Sequence, residues 1–175
     1  MKKYALLVLL ISNFQHYNST EIRRAVHKLS KEENRTGNGA LYQQFLKYGV
    51  SSFPYLIKDI DKKSKNYIGF SRPLNSNLKI LVNYDGVFEA YMIEFILGTI
   101  KLNDADIKQD KHMLFTRNII IKSGDSADLK YADIINIKMI YSNWWEHNKN
   151  KSIEELRKDW ANNKRPLSGS KYRWY

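Results

Sequence analysis

Apolar residues along this chain recur mostly at helical spacing. Ile22, Val26 and Leu29 fall at i, i+4 and i+7, with Glu21, Arg23, Arg24 and Lys28 at other positions. This is the stripe of an amphipathic helix over Thr20 to Lys31. Asn18, Ser19 or Thr20 suits its N-cap, because a short oxygen-bearing side chain accepts the orphan N–H groups of a first turn. A polar stretch from Lys31 to Gly39 then breaks the pattern.

Two shorter helices follow, over Ala40 to Tyr48 and Phe53 to Asp61. Gly49 suits the left-handed residue that ends a helix, Ser51 and Ser52 suit a cap, and Pro54 sits in a first turn where its missing N–H costs nothing. Phe53, Leu56, Ile57 and Ile60 form one apolar face, so a helical hairpin is predicted. The run Phe45-Leu46-Lys47-Tyr48-Gly49-Val50-Ser51-Ser52-Phe53-Pro54-Tyr55-Leu56-Ile57 resembles one unit of a HEAT-like helical repeat, within about residues 40–61. One unit cannot bury its own face. The resemblance therefore implies that neighbouring helices serve as degenerate repeats or caps.

Farther along, Tyr67 to Phe70 and Leu78 to Val82 leave the helical pattern: Leu78, Ile80 and Val82 alternate with Lys79 and Leu81, and Pro73 with Asn75, Ser76 and Asn77 provides turn chemistry between the two runs. Asp85-Gly86 leads into Val87 to Leu97, apolar on nearly every side, which predicts a helix buried in the centre and stopped by Gly98. Met113 to Lys122, with Ile119, Ile120 and Ile121, fits either a strand or the end of a helix. Over Leu129 to His147 a helical stripe returns at Ile134, Ile137, Tyr141 and Trp144. Ser152 with Glu155 then forms a capping box ahead of Ile153, Leu156 and Trp160. The expected fold is mainly α: helical hairpins packed around a central apolar helix, as a HEAT-like or irregular helical array, with a small β hairpin near residues 67–82.

The first residues stand apart. Met1-Lys2-Lys3-Tyr4 followed by Ala5 to Ile11 has the basic start and short apolar run of a secretory signal, although no small-x-small cleavage pattern follows. The division expected is a leader over 1–18 and one helical domain over 19–175, with a periplasmic or secreted product if the leader is cut and a cytoplasmic one if it is kept. The run from Ala5 to Ile11 is too short to span a bilayer, and no second apolar run is long enough, since Glu89 and Glu94 interrupt the longest, Val87 to Leu97. At 175 residues and 13% aromatic content, the chain can bury roughly 70% of its unfolded surface in one core.

Charge and chemistry narrow the function classes. The 29 Lys and Arg against 18 Asp and Glu leave +11, which draws nucleic acid, anionic lipid or an acidic protein at long range, but the lysines are dispersed and make no single stripe. With no cysteine, thiolate zinc sites and cysteine nucleophiles are excluded, and His16, His27, His112 and His147 are scattered outside any zinc motif. No metal, cofactor or catalytic set is expected. Glu89 and Glu94 lie about 140° apart around a helix axis and cannot act as one dyad. Glu94 is instead expected to pair with an arginine or lysine from another segment. His147, near a helix end, suits the helix dipole.

The most suggestive segment is the tail from Lys164 to Tyr175, where basic and aromatic residues interleave. Lys171, Tyr172, Arg173 and Trp174, together with Trp145, are the candidate binding residues. Such a set stacks on bases or anchors a protein interface; alternatively, Tyr172 and Trp174 dock the chain end on the core. The function expected is a non-enzymatic protein-binding module, an envelope or periplasmic inhibitor or immunity-type protein. The alternative is a cytoplasmic basic nucleic-acid-binding protein.

Overall fold

The computed structural model describes residues 17–29, 39–62, 65–66, 83–98, 120–122 and 129–174. Among them the fold is mainly α. In chain order the elements are α1 (Ser19–Leu29), α2 (Gly39–Tyr48), a 3₁₀ turn (Gly49–Ser52), α3 (Phe53–Asp59), β1 (Lys65–Asn66), β2 (Asn83–Tyr84) and α4 (Asp85–Gly98). Next come β3 (Ile120–Lys122), α5 (Tyr131–Asn148), α6 (Ile153–Ala161) and β4 (Tyr172–Trp174).

Helix α4 is the centre, as its composition predicts. Ala90, Met92, Ile93, Ile96 and Leu97 are all at most 1% exposed, so the helix buries apolar side chains on every side, and each contributes roughly 1.5–3 kcal/mol where it is large and aliphatic. It packs against α2, α3, α5 and α6. Its start is held tightly: a Cβ on Gly86 would fall 1.6 Å from the Ile60 carbonyl oxygen at the end of α3. No residue with a side chain fits this approach of two backbones.

The other helices present single apolar stripes to this centre. In α1 the buried positions are Ile22, Ala25, Val26 and Leu29, and Asn18 caps the helix, its Oδ1 accepting from the Thr20 N–H at 2.9 Å. Gly49 does take the left-handed conformation that ends α2, with φ +50°. Ser52, by contrast, caps nothing. It is helical itself, and its hydroxyl donates to the Gly49 carbonyl oxygen at 2.7 Å, so the chain passes from α2 into α3 through a continuous 3₁₀ turn.

That turn alters the expected hairpin. The apolar face of α3 packs chiefly on α4 and α5, while α2 packs on α1; the all-round apolar surface of α4 offers Phe53, Leu56 and Ile60 more to bury against than the half-polar α2 does. At the end of the chain the capping box forms as expected. Ser152 Oγ accepts from the Glu155 N–H at 3.2 Å and Glu155 Oε2 accepts from the Ser152 N–H at 2.7 Å.

Two small ribbons complete the described fold. β1 pairs antiparallel with β2, Lys65 opposite Tyr84. The hairpin expected near 67–82 lies between these strands and outside the described residues. β3 pairs antiparallel with β4, with Ile120, Ile121 and Lys122 opposite Trp174, Arg173 and Tyr172; the isoleucine run is therefore a strand at its end, and its partner is the chain's own tail. Of the predicted leader, all but Tyr17 and Asn18 lies outside the described residues. Tyr17 packs edge-on against Tyr48 at 5.0 Å.

Candidate functional site

The most unusual chemistry lies inside the molecule. Glu94, on α4, is 8% exposed. Tyr141 of α5 donates its hydroxyl to Glu94 Oε1 at 2.9 Å, and Trp160 of α6 donates its indole N–H to Oε2 at 2.7 Å. Burial pushes the Glu94 carboxyl above its ordinary value of 4.5, against the lowering effect of the two hydrogen bonds. Burial and the neighbouring Glu94 charge likewise hold the Tyr141 phenol neutral well above the usual range.

The partners differ in kind from the arginine or lysine expected. Among the described residues no cation lies within ion-pair distance of Glu94. Arg165 is close enough to favour its charge, but the guanidinium stacks over the Trp160 ring at 4.1 Å from the centroid, as a planar cation does on an indole face. The Trp174 indole N–H is also buried here and eases the charge on Glu94 without being aligned for a hydrogen bond. The Trp160 ring itself lies on the end of α4, 3.1 Å from where a Cβ on Gly98 would stand. Beside it, Arg157 donates from Nε and Nη2 to the Ile96 carbonyl oxygen, both at 3.3 Å, and so satisfies an orphan acceptor of the last turn.

The tail residues singled out in the sequence are docked around this centre in different ways. Tyr172 is 2% exposed; its hydroxyl donates to Asp133 Oδ1 at 2.8 Å, while Asp133 also accepts from the Lys130 N–H at 3.0 Å at the start of α5. Trp174 is half-buried against Tyr91 at 6.1 Å. Arg173 and Lys171 are exposed, the Lys171 ammonium 5.2 Å from the Tyr172 ring. Trp145 belongs to a different group, packed with Phe53 at 5.3 Å and Trp144 at 6.3 Å. The arrangement is thus a tail strand with two aromatics turned into the protein and two cations turned out.

The loop that brings the tail there is built from its own polar groups. Asn163 adopts φ +61° just past α6, a conformation asparagine tolerates at a helix end. Ser168 Oγ donates to the Asn163 carbonyl oxygen and accepts from the Arg165 N–H, with Leu167 buried beneath. Ser168-Gly169-Ser170 is therefore turn chemistry.

Of the histidines, His147 is exposed in the last turn of α5, the helix end expected for it, with Nδ1 2.7 Å from the Asn143 carbonyl oxygen. His16 and His112 lie outside the described residues. Among the described residues, no group of three or more His, Asp or Glu could hold a metal ion, and no helix is long and apolar enough to cross a membrane.

One surface carries apolar side chains without a use inside the fold. On α5 the residues Ile134, Ile137 and Tyr141 are fully buried, yet Ile135 is 40% and Met139 54% exposed. They stand four residues apart and so share one outward face. Beside them Lys138 donates to Asp61 Oδ1 at 2.7 Å and to the Lys58 carbonyl oxygen at 2.9 Å, which ties α5 to the end of α3 and fixes this face. Periodicity alone missed the pair, because Ile135 is hidden within the run Ile134-Ile135 and Met139 precedes Ile140.

Comparison with known proteins finds no matching family model, no similar curated protein and no similar solved structure.

Proposed function

We propose that this chain is a non-enzymatic protein-binding module, of the inhibitor or immunity type, that meets its partner through the outward face of α5. The observation that carries the reading is the exposed pair Ile135 and Met139 on a helix whose other apolar face is already buried. Ile135 and Met139 are already about half covered, so burying the rest against a partner represents roughly 1.5–3 kcal/mol of apolar transfer in all, and Met is well suited to adaptable interfaces. The charge of +11 favours an acidic partner by steering its approach.

Two further observations favour binding over catalysis and over nucleic acid. Glu94, a buried carboxylate, engages both oxygens with Tyr141 and Trp160. Tyr172 and Trp174, which would stack on bases, are turned into the protein. The envelope location rests on the pattern of Met1 to Ile11, and intact mass with fractionation in the native host tests it.

The binding reading is tested with a photo-crosslinking residue placed at Met139, and at exposed Arg24 as control, in the native host. One dominant protein adduct from position 139, lost when Ile135→Asp is added, is the expected result. Equal labelling from both positions, or none from 139, together with substrate turnover by the purified protein, would overturn the reading.

A further inference from the structure

The start of α1 meets the end of α2, where Tyr17 and Tyr48 pack edge to face. Beside this contact is a hollow of about 520 Å³, open to solvent, a volume within the range of ligand-binding clefts. Its wall includes one face of α2, with Gln43, Gln44 and Lys47 at i, i+1 and i+4, and Glu21 of α1 also lines it.

The side chains here are unspent. Glu21 and Lys47 are exposed and Gln43 is half-buried, and none of the three side chains forms a hydrogen bond or ion pair with any other described residue. Gln44 donates its amide to the Tyr48 hydroxyl, which holds the phenol in place and leaves the Tyr48 O–H free to donate onward. Burial and the nearby Glu21 charge raise the Tyr48 pKa, so that proton is retained. The hollow thus presents a carboxylate, an ammonium, a free primary amide, a phenolic donor and an aromatic wall.

We propose that this hollow is a docking groove for an extended peptide segment of a partner protein, one that carries both a basic and an acidic side chain. The primary amide of Gln43 matches the donor and acceptor pair of a peptide group. Glu21 and Lys47 supply opposite charges for two side chains of the segment, and the tyrosine pair provides apolar contact at low entropic cost. Openness to solvent favours a chain passing through over a small molecule, which such sites enclose almost completely. The proposal rests on the protein-binding reading but uses a surface other than α5.

Panning the full-length protein with a library of random displayed peptides tests it. Enriched peptides are expected to combine Lys or Arg with Asp or Glu. Their affinity should fall about ten-fold, or ~1.4 kcal/mol, in each of Glu21→Lys and Lys47→Glu, and it should return when the matching peptide charge is reversed. A role limited to complementing the dipoles of α1 and α2 predicts a small shift in Tm with peptide binding unchanged, and that result would overturn the groove. So would a failure to enrich any peptide over the heat-unfolded protein. If crosslinking from position 139 persists in either of those cases, the groove alone falls and the binding module stands; loss of both removes both.

Discussion

Glu94 and Glu21 are the same residue type in one helical fold, and they are put to opposite use. Glu94 lies under Tyr141, Trp160 and Trp174, both oxygens engaged and its charge disfavoured by burial. Glu21 is exposed beside an open hollow, and its side chain forms no hydrogen bond or ion pair with another described residue. The first is costly and local: it joins α4, α5, α6 and the tail at one point, where loss of a partner leaves a buried polar group unsatisfied. The second costs the fold almost nothing and is available to another molecule. The buried Glu94 carboxylate therefore marks an internal joint, and the candidate recognition surfaces lie on exposed side chains.

The largest expected effect is at the joint. Trp160→Ala removes the donor to Glu94, the stack beneath Arg165 and the ring against Gly98, and should cost about 3–5 kcal/mol, read as a fall in the urea midpoint. A cost below about 1 kcal/mol would mean that α6 and the tail contribute little to the cooperative unit. Tyr141→Phe keeps the ring and deletes one hydrogen bond to the carboxylate, for about 1–3 kcal/mol.

Glu94→Gln sharpens the comparison through pH. The raised pKa means that the folded protein binds the Glu94 proton more tightly than the unfolded chain does. This stabilising contribution is fully present below the ordinary value of 4.5 and is lost as pH rises through the higher folded value. Wild type should therefore lose stability across that interval relative to Glu94→Gln, whose amide can accept from Trp160 and donate to Tyr141. Parallel urea midpoints for the two proteins across this range would show that the carboxyl is not desolvated as described. At the exposed end the effects are smallest: Glu21→Lys or Lys47→Glu, each reversing a charge that suits its own helix dipole, should change stability by under about 1 kcal/mol.

Helix positions and the central helix were legible before the structure because both depend on local spacing. Ile22, Val26 and Leu29 commit α1 to one buried stripe, the run around Met92 and Ile93 commits α4 to burial on all sides, and Ser152 with Glu155 marks the start of α6. Each is a signal carried within about two turns of chain. Partners are different. That Glu94 would meet a phenol and an indole, 47 and 66 residues away, has no local signature, and the expectation of a cation followed from the general cost of a buried charge. The docking of Tyr172 on Asp133 and the pairing of β4 with β3 are of the same kind.

What the amino-acid sequence determined by itself is therefore the set of amphipathic and apolar segments, their caps and the absence of cysteine chemistry, since these follow from periodicity, propensity and inventory. Tertiary structure alone decided which face of α5 stays in water, that α3 leaves α2 for α4 and α5, and which side chains around Glu94 and Glu21 are spent. The physical reason is that burial and hydrogen-bond saturation belong to groups brought together across the chain, and a side chain acquires them only from neighbours that its own segment does not specify.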